Sequence, residues 1–169
     1  GVESMTISAH IAPGKDGPKQ LSSGFLASQV TGALRRFCQS ADPEVGRQHF
    51  RYIDGIDQPS ESGRTYGNNE KVREYLEPFA VKAWADLSDP NGQLPCFTHD
   101  VYVKIWQLNH PVIAADYILL DECQDTSEVM LDILRQQTSA LKILVGDSSQ
   151  QIYEWRGAVN ALAAFPDAE

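Results

Sequence analysis

The sequence has no long apolar run: none of its 169 residues belongs to a stretch near the ~20 residues that a membrane-spanning helix needs. No secretory signal is visible at its start. The three cysteines, Cys38, Cys96 and Cys123, lie far apart and lack the spacing of metal ligands. We therefore expect no membrane partner and an intracellular, reduced setting, cytoplasmic in a bacterium or nuclear in a eukaryote.

Positive charge is also scarce, because the net charge is −9. The deficit is concentrated in residues 116–169, which hold ten acidic and three basic residues, whereas residues 1–115 are nearly balanced. An acidic cluster suits an anion that arrives with a metal ion better than a bare phosphate. Any contact with nucleic acid in this region must therefore be local.

The first two thirds of the chain are predicted to be mainly helical. Residues 12–20 are rich in glycine and proline and are predicted as a loop. Ser22 or Ser23 can cap a helix that continues to about residue 40. Residues 54–69 form a polar connection, and a second amphipathic helix is predicted over 70–87.

A third helix is predicted from an Asp100 cap to about Asn109, with Val101, Ile105 and Leu108 buried. After it the pattern changes to short apolar runs, typical of central strands. We therefore predict a helical subdomain over residues 1–110 and a separate strand-containing domain over 111–169.

The last third is predicted to be a strand-helix-strand-helix unit. The strands are Tyr117–Leu120 and 141–145, and an Asp125–Glu128 capping box begins the helix between them. A last helix is predicted from Gly157-Ala158 to about residue 164. Such a crossover implies parallel strands, so the predicted fold class is α/β, a partial parallel sheet of the P-loop (RecA-like) type with a mainly helical subdomain.

Asp121 and Glu122 follow the first strand, where an open α/β sheet binds its ligands. One carboxylate there can hold Mg²⁺, and its neighbour can act as general base toward water, the pairing that nucleoside-triphosphate hydrolysis uses. A solvated turn explains the pair alone about equally well. Gln124 and Asp125, which follow directly, make the pattern far more specific.

A second polar block follows the second strand. Gln150 could orient water or contact a γ-phosphate, although an ordinary turn is the better explanation of this glutamine taken alone. Tyr153, Trp155 and Arg156 combine aromatic rings with a cation, as stacking on unpaired bases requires. Core packing is an equally good explanation of Tyr153.

The two blocks resemble motifs II and III of the UvrD/Rep family of superfamily 1 DNA helicases. Asp121-Glu122-Cys123-Gln124-Asp125 is similar to motif II, with cysteine in place of the usual alanine. Gly146-Asp147, Gln150, Ile152-Tyr153 and Trp155-Arg156-Gly157-Ala158 are similar to motif III. The segment Phe97-Thr98-His99-Asp100, with Tyr102 and Lys104, resembles the F-box DNA helicase branch of that family.

The resemblance implies a 3′-to-5′ DNA helicase that uses ATP and Mg²⁺, of the DNA repair or recombination type. By position, Asp121 would serve the metal, Glu122 would be the base, and Gln150 would sense the γ-phosphate. Tyr153, Trp155 and Arg156 would face single-stranded DNA. His99 and Lys104 are weaker DNA-side candidates, because an exposed helix start and a solvated lysine explain them more simply.

The sequence contains no phosphate-binding loop of the form G-x-x-x-x-G-K-S/T, since Gly14-Lys15 is followed by Asp16. We expect a helicase fragment, subdomain 1B plus the motif II and III part of domain 1A, whose partners are the missing half of 1A and the second motor domain. Alone it would be inactive. Two alternatives stay open: a non-catalytic DNA- or protein-binding module derived from a helicase, and a different Mg²⁺-dependent phosphohydrolase using Asp121 and Glu122.

Overall fold

The computed structural model describes residues 1–12, 15–59, 63, 65–95, 98–147, 149, 158–159, 161 and 165. The chain forms two compact units, Gly1–Arg35 with Glu44–Leu94, and Arg36–Pro43 with Pro95–Glu169. The predicted helicase subdomains, 1–110 and 111–169, stay a prediction. Helices, a parallel strand pair and antiparallel strand pairs are all present, so the predicted α/β class is confirmed.

The first unit begins with an antiparallel hairpin that the sequence pattern did not predict. Strand β1, Met5–Ala12, pairs with β2, Lys15–Leu21, so the loop predicted over residues 12–20 is wrong for residues 12 and 15–20. The described side chains of the hairpin alternate as a half-buried strand pair should, with Ile7, Ala9 and Leu21 buried.

Two predicted helices are confirmed close to their predicted bounds. Helix α1, Ser23–Gln39, is preceded by Ser22, whose Oγ accepts the N–H of Phe25 at 3.2 Å and satisfies one free donor of the first turn. A short 3-10 helix, Arg47–His49, follows. Helix α2, Asn68–Ser88, buries one stripe of apolar side chains: Val72, Leu76, Ala80 and Leu87.

The start of α2 is fixed by a polar network rather than by its own cap. Asp57, in the predicted polar connection, accepts the backbone N–H of Asn68 through Oδ1 and that of Asn69 through Oδ2, the latter at 2.9 Å. The buried Asn68 amide donates to the carbonyl oxygens of Ser8 at 2.7 Å and Ile56 at 2.6 Å. The start of α2 is therefore bonded both to the connection and to the hairpin.

The second unit contains α3, His99–Leu108, for which Thr98 and not Asp100 stands at the N-cap position. Its buried side chains are Val101, Lys104 and Gln107, whereas the predicted core residues Ile105 and Leu108 are only half-buried. The spacing of apolar residues predicted the wrong buried side chains here because two long polar side chains, Lys104 and Gln107, occupy the inward face of α3.

A parallel strand pair and one helix form the centre of the second unit. Strand β3, Tyr117–Leu120, pairs in parallel with β5, Leu141–Leu144, as predicted. Between them lie a 3-10 turn, Cys123–Asp125, strand β4, Thr126–Ser127, and helix α4, Glu128–Gln136. One face of the strand pair packs on a core cluster formed by Cys123, Leu131, Leu134 and Ala161.

Two details of the last third differ from expectation. Ser127, and not Asp125, is at the N-cap position of α4, because Thr126–Ser127 pair with β6, Ala158–Val159, in an antiparallel bridge. Ala158 therefore does not begin a helix. Ala161 is helical, and most of the predicted last helix lies outside the described residues. Among the helices of the described residues, none has the length and apolar character needed to cross a membrane.

Candidate nucleotide site at the paired strand ends

The two polar blocks of the sequence begin at adjacent strand ends. Leu120 and Leu144 are partners in the register, so β3 and β5 end side by side. The N–H of Val145 donates to Leu120 O at 2.8 Å, and that of Cys123 donates to Val145 O at 3.0 Å. These bonds continue the pairing past both strands and hold the two turns together.

Asp121 and Glu122 leave β3 in a tight, left-handed turn. Glu122 has φ 50° and ψ 40°, a backbone conformation uncommon for a residue with a side chain. Asp121 Oδ1 accepts the N–H of Glu122 at 2.9 Å, and Glu122 O accepts the N–H of Asp125 at 3.0 Å. Both residues are exposed, so the turn presents two adjacent carboxylates beyond the sheet.

A cleft of about 470 Å³ opens beside this turn. Asp121, Glu122 and Asp125 contribute to its wall, as do Asp100 at the start of α3 and Cys38 near the end of α1. The wall is acidic, so a polyphosphate can enter only with a cation that offsets the repulsion.

Cys38 is a buried thiol in this wall and is not a nucleophile. Burial, reinforced by the nearby Asp100 carboxylate and opposed by Lys104, raises the pKa of Cys38 to about 12. The thiol therefore stays protonated at neutral pH, and only a thiolate attacks or binds metal.

The donor set fits a magnesium ion that arrives with a nucleotide. Among the described residues, no group of three or more His, Cys, Asp or Glu side chains is arranged to enclose a metal ion. Mg²⁺ is usually held by one or two carboxylates together with water and substrate phosphates, and not by a cage made only of protein atoms. Asp121, at the strand end and exposed, is suited to that role.

Gln124 links the two strand ends through its side chain, a function the sequence analysis did not assign to it. Its side chain is 1% exposed. Nε2 donates to Glu122 Oε2 at 2.6 Å, and Oε1 accepts the N–H of Asp147 at 3.1 Å. Its position two residues after Glu122 was the only sequence signal for this arrangement. Asp100 and Cys38 were missed because they lie far from motif II along the chain.

The other predicted site residues, Gln150, Tyr153, Trp155 and Arg156, lie outside the described residues. Between residues 146 and 157 the structure therefore describes Gly146, Asp147 and Ser149, and the N–H of Ser149 donates to Asp147 Oδ1 at 2.9 Å.

The two weaker DNA-side candidates differ in the structure. His99 is exposed, with Nδ1 2.8 Å from the hydroxyl of Tyr102. Lys104 is fully buried, and its Nζ donates to the carbonyl oxygens of Ser40, at 3.0 Å, and Asp42. A buried ammonium bonded to backbone oxygens does not contact phosphate, so the DNA-side interpretation of Lys104 is wrong, and so is the alternative of a solvated lysine.

Comparison with known proteins gives one consistent family. Residues 69–164 match the family model of the UvrD/REP helicase N-terminal domain. The chain is 34% identical over 145 residues to F-box DNA helicase 1 of Gallus gallus, which covers 81% of this chain and 13% of that protein. It is 32% identical over 163 residues to F-box DNA helicase protein 1 of Schizosaccharomyces pombe, which covers 95% of this chain and 17% of that protein.

A shorter match, 44% identical over 48 residues, is to a probable DNA helicase II homolog of Mycoplasma genitalium, and covers 27% of this chain and 7% of that protein. No solved structure matches. The chain spans less than a fifth of the length of the F-box helicase relatives. The matched region contains both strands of the parallel pair and the acidic turn between them. On this basis the chain belongs to the UvrD/REP helicase N-terminal domain family.

Proposed function

We propose that this chain forms one wall of the ATP site of a 3′-to-5′ DNA helicase. The observation that carries the proposal is the acidic turn at the end of β3, held beside the end of β5 and facing a cleft of about 470 Å³. Membership of a helicase family supplies the reaction class. The ligands ATP and Mg²⁺ and the 3′-to-5′ direction of movement along DNA are proposed here.

Each residue has a stated role in this proposal. Asp121 holds Mg²⁺, which when bound with ATP offsets the charge on the phosphates. Glu122 accepts the proton of the attacking water, because its carboxylate lies next to Asp121 on the same turn. Gln150, which follows β5 along the chain, senses the γ-phosphate.

Single-stranded DNA is the proposed polymer substrate. Tyr153 and Trp155 would stack on unpaired bases, and Arg156 would contact phosphate. These residues follow Asp147 closely along the chain, so movement of the β5 end on nucleotide binding could be passed to the DNA. An intracellular location, cytoplasmic in a bacterium or nuclear in a eukaryote, is part of the proposal.

The 169 residues do not supply a complete ATP site, because they contain no G-x-x-x-x-G-K-S/T loop. In a P-loop enzyme that loop surrounds the phosphates and its Ser/Thr binds the metal. We infer that the other half of domain 1A and the second motor domain are the partners that complete the site. The chain alone would not turn over ATP.

The nucleotide part can be tested without turnover by using Mn²⁺ in place of Mg²⁺. Addition of Mn²⁺ with ATP should broaden the amide NMR signals of Asp121 to Asp125 by paramagnetic relaxation. Asp121→Asn should remove the broadening, whereas Asp54→Asn, at an exposed acid of the first unit, should retain it. Unchanged signals in the wild type would contradict the ATP-site proposal. ATP turnover by the isolated chain that Glu122→Gln abolishes would contradict its inactivity.

The DNA part has its own test, since Trp155 is one of three tryptophans. In a Trp84→Phe/Trp106→Phe variant, Trp155 is the only indole fluorophore. A single-stranded oligonucleotide should quench its emission at low salt, and added salt should reverse the effect. Emission that does not respond would place Trp155 away from DNA.

A second candidate function is a non-catalytic DNA- or protein-binding module, favoured by the absent phosphate loop. It predicts no Mn²⁺-ATP broadening at the acidic turn, with oligonucleotide or protein binding retained. The same NMR titration therefore separates the two functions.

A further inference from the structure

Gln124 is a buried amide whose two ends bond to two different strand ends. Nε2 is 2.6 Å from Glu122 Oε2, and Oε1 is 3.1 Å from the backbone nitrogen of Asp147. An ionised carboxylate only accepts hydrogen bonds, and a backbone N–H only donates one. Both hydrogen bonds therefore require the same orientation of the amide, with Nε2 toward Glu122 and Oε1 toward Asp147.

Close packing prevents this amide from turning away. A Cβ placed on Gly146 would lie 2.3 Å from Gln124 Oε1 and 2.7 Å from Cys123 Sγ. No side chain can occupy that position without moving its neighbours, so the glycine hydrogen forms one wall of the space that holds the Gln124 amide.

Glu122 requires an external support for its side chain. It belongs to neither strand nor helix, and its backbone is left-handed, so no regular neighbour fixes the direction of its carboxylate. It is also exposed. The hydrogen bond from the buried Gln124 amide fixes one carboxylate oxygen of an otherwise mobile type of side chain.

We propose that Gln124 is a positioning residue: it holds the Glu122 carboxylate in register with the Asp147 end of β5. The role of Glu122 as general base rests on the proposed function; the link itself rests on the hydrogen bonds. Because one amide joins both ends, a shift of the β5 end moves the Glu122 carboxylate. The segment that follows Asp147 carries Gln150 and the proposed DNA-binding residues, so the link connects them to the base.

The link can be measured in the 169-residue chain by a double-mutant cycle read by NMR. Glu122→Gln should shift the Asp147 backbone amide and the Gln124 side-chain NH₂ signals, because the Gln124 amide relays the change. In a Gln124→Met background, which keeps the length and shape without donor or acceptor, the response of Asp147 to Glu122→Gln should fall at least fivefold. An undiminished response would overturn the link, since it would then be a direct effect of charge.

A second variant divides the link into its two halves. Gln124→Glu keeps an oxygen for the Asp147 N–H but loses the donor to Glu122 and adds a like charge beside it. The Asp147 N–H should therefore stay hydrogen-bonded, and adding Glu122→Gln, whose Nε2 can donate to the new carboxylate, should relieve the repulsion and shift the Asp147 amide signal again. Loss of the Asp147 hydrogen bond in Gln124→Glu would contradict the assigned acceptor.

Gln137 provides a matched control, because it is another buried glutamine of the same unit. Its Nε2 donates to Pro111 O at 2.8 Å and Ile133 O at 2.7 Å, and its Oε1 accepts the N–H of Ile113 at 2.8 Å. Gln137→Met should destabilise the unit yet leave the response of Asp147 to Glu122→Gln intact. If Gln137→Met also removes that response, the response depends on the overall stability of the unit, and Gln124 is not a positioning residue.

The Mn²⁺-ATP titration separates failure of this inference from failure of the proposed function. If Gln124→Met reduces the response of Asp147 as expected but Mn²⁺ with ATP does not broaden the signals of the acidic turn, the link is retained and the ATP site is rejected. Broadening with an undiminished response in the Gln124→Met background would retain the ATP site and reject Gln124 as its positioning residue.

Discussion

Acidic side chains have opposite uses in the two compact units: Asp57 in the first, and the pair Asp121 and Glu122 in the second. Asp57 is half-buried and accepts the backbone N–H groups of Asn68 and Asn69 and the side-chain amide of Asn69, so its oxygens hold the start of α2. Asp121 and Glu122 are exposed at the rim of a cleft, and their described hydrogen bonds come from their own turn. The first carboxylate stabilises the fold, and the second pair is available to a ligand.

The buried amides show the same contrast. Asn68 donates to two carbonyl oxygens that belong to structural segments of the first unit. Gln124 has an equally buried amide, but one of its partners is the carboxylate proposed to act as base. Burial of a polar side chain therefore does not by itself identify a site; the exposure of its partner distinguishes the two cases.

The largest expected effect tests whether Asp57 is structural and Asp121 is not. Asp57→Ala removes the acceptor for the N–H groups of Asn68 and Asn69, so it should lower the free energy of unfolding by about 3 kcal/mol. Asp121→Ala removes an exposed side chain and should change it by no more than about 0.5 kcal/mol. Urea denaturation followed by circular dichroism measures both.

Asp54→Ala is the control for the first unit, since Asp54 is exposed in the same connection. It should behave like Asp121→Ala. An Asp121→Ala variant as unstable as Asp57→Ala would show that the acidic turn is also a structural element, and the contrast between the two groups would fail.

A somewhat smaller loss is expected for the buried lysine of the second unit. Lys104→Met removes the donor to the carbonyl oxygens of Ser40 and Asp42 and an ammonium 4.4 Å from the ring centre of Phe37. The free energy of unfolding should fall by about 2 kcal/mol, while the affinity for single-stranded DNA should be unchanged at low salt. Weaker DNA binding with unaltered stability would reinstate Lys104 as a DNA contact.

Glycine substitutions compare the site turn with a helix. At Gly146 an added Cβ would meet Gln124 and Cys123, so Gly146→Ala should lower the free energy of unfolding by about 1.5 kcal/mol. At Gly24, in α1, no heavy atom of the described residues outside its own stretch of helix lies within 4 Å of the added Cβ, and Gly24→Ala should raise the free energy of unfolding by up to about 0.5 kcal/mol. Equal effects of the two variants in urea denaturation would mean that Gly146 is not closely packed.

The sequence predicted the elements whose pattern is local. Tyr117–Leu120 and the strand over 141–145 are short apolar runs followed by polar residues, and both were found where expected and in parallel. Helices α1 and α2 were found because their apolar residues recur at helical spacing. The placement of Asp121 and Glu122 followed from the end of the first of these strands.

Features that depend on distant partners were not predictable in the same way. Lys15–Leu21 contains glycine and proline and becomes a strand only through pairing with Met5–Ala12. Ser127 replaces Asp125 at the start of α4 because Thr126–Ser127 bridge to Ala158–Val159. The burial of Lys104 depends on carbonyl oxygens more than sixty residues earlier in the chain.

The contribution of the Asp57 carboxylate to stability should depend on pH. Burial alone would raise the pKa of Asp57, but hydrogen bonds from Asn69 and Asn68 outweigh it and hold the pKa below its ordinary value of 3.8. The unfolded chain therefore takes up the proton at a higher pH than the folded chain does. The stabilising contribution of the carboxylate is full above that unfolded pKa and is lost as the pH falls through the lower, folded value.

Asp57→Asn retains the shape of the side chain but cannot ionise. At pH 7 it should be less stable than the wild type by about 1 kcal/mol, and the difference should shrink as the pH falls below about 4. Urea denaturation of both proteins at pH 7, 5, 4 and 3 gives the comparison. A difference that stays constant down to pH 3 would mean that the charge of Asp57 is irrelevant and that only its shape holds α2, which would remove the electrostatic part of the contrast with Asp121.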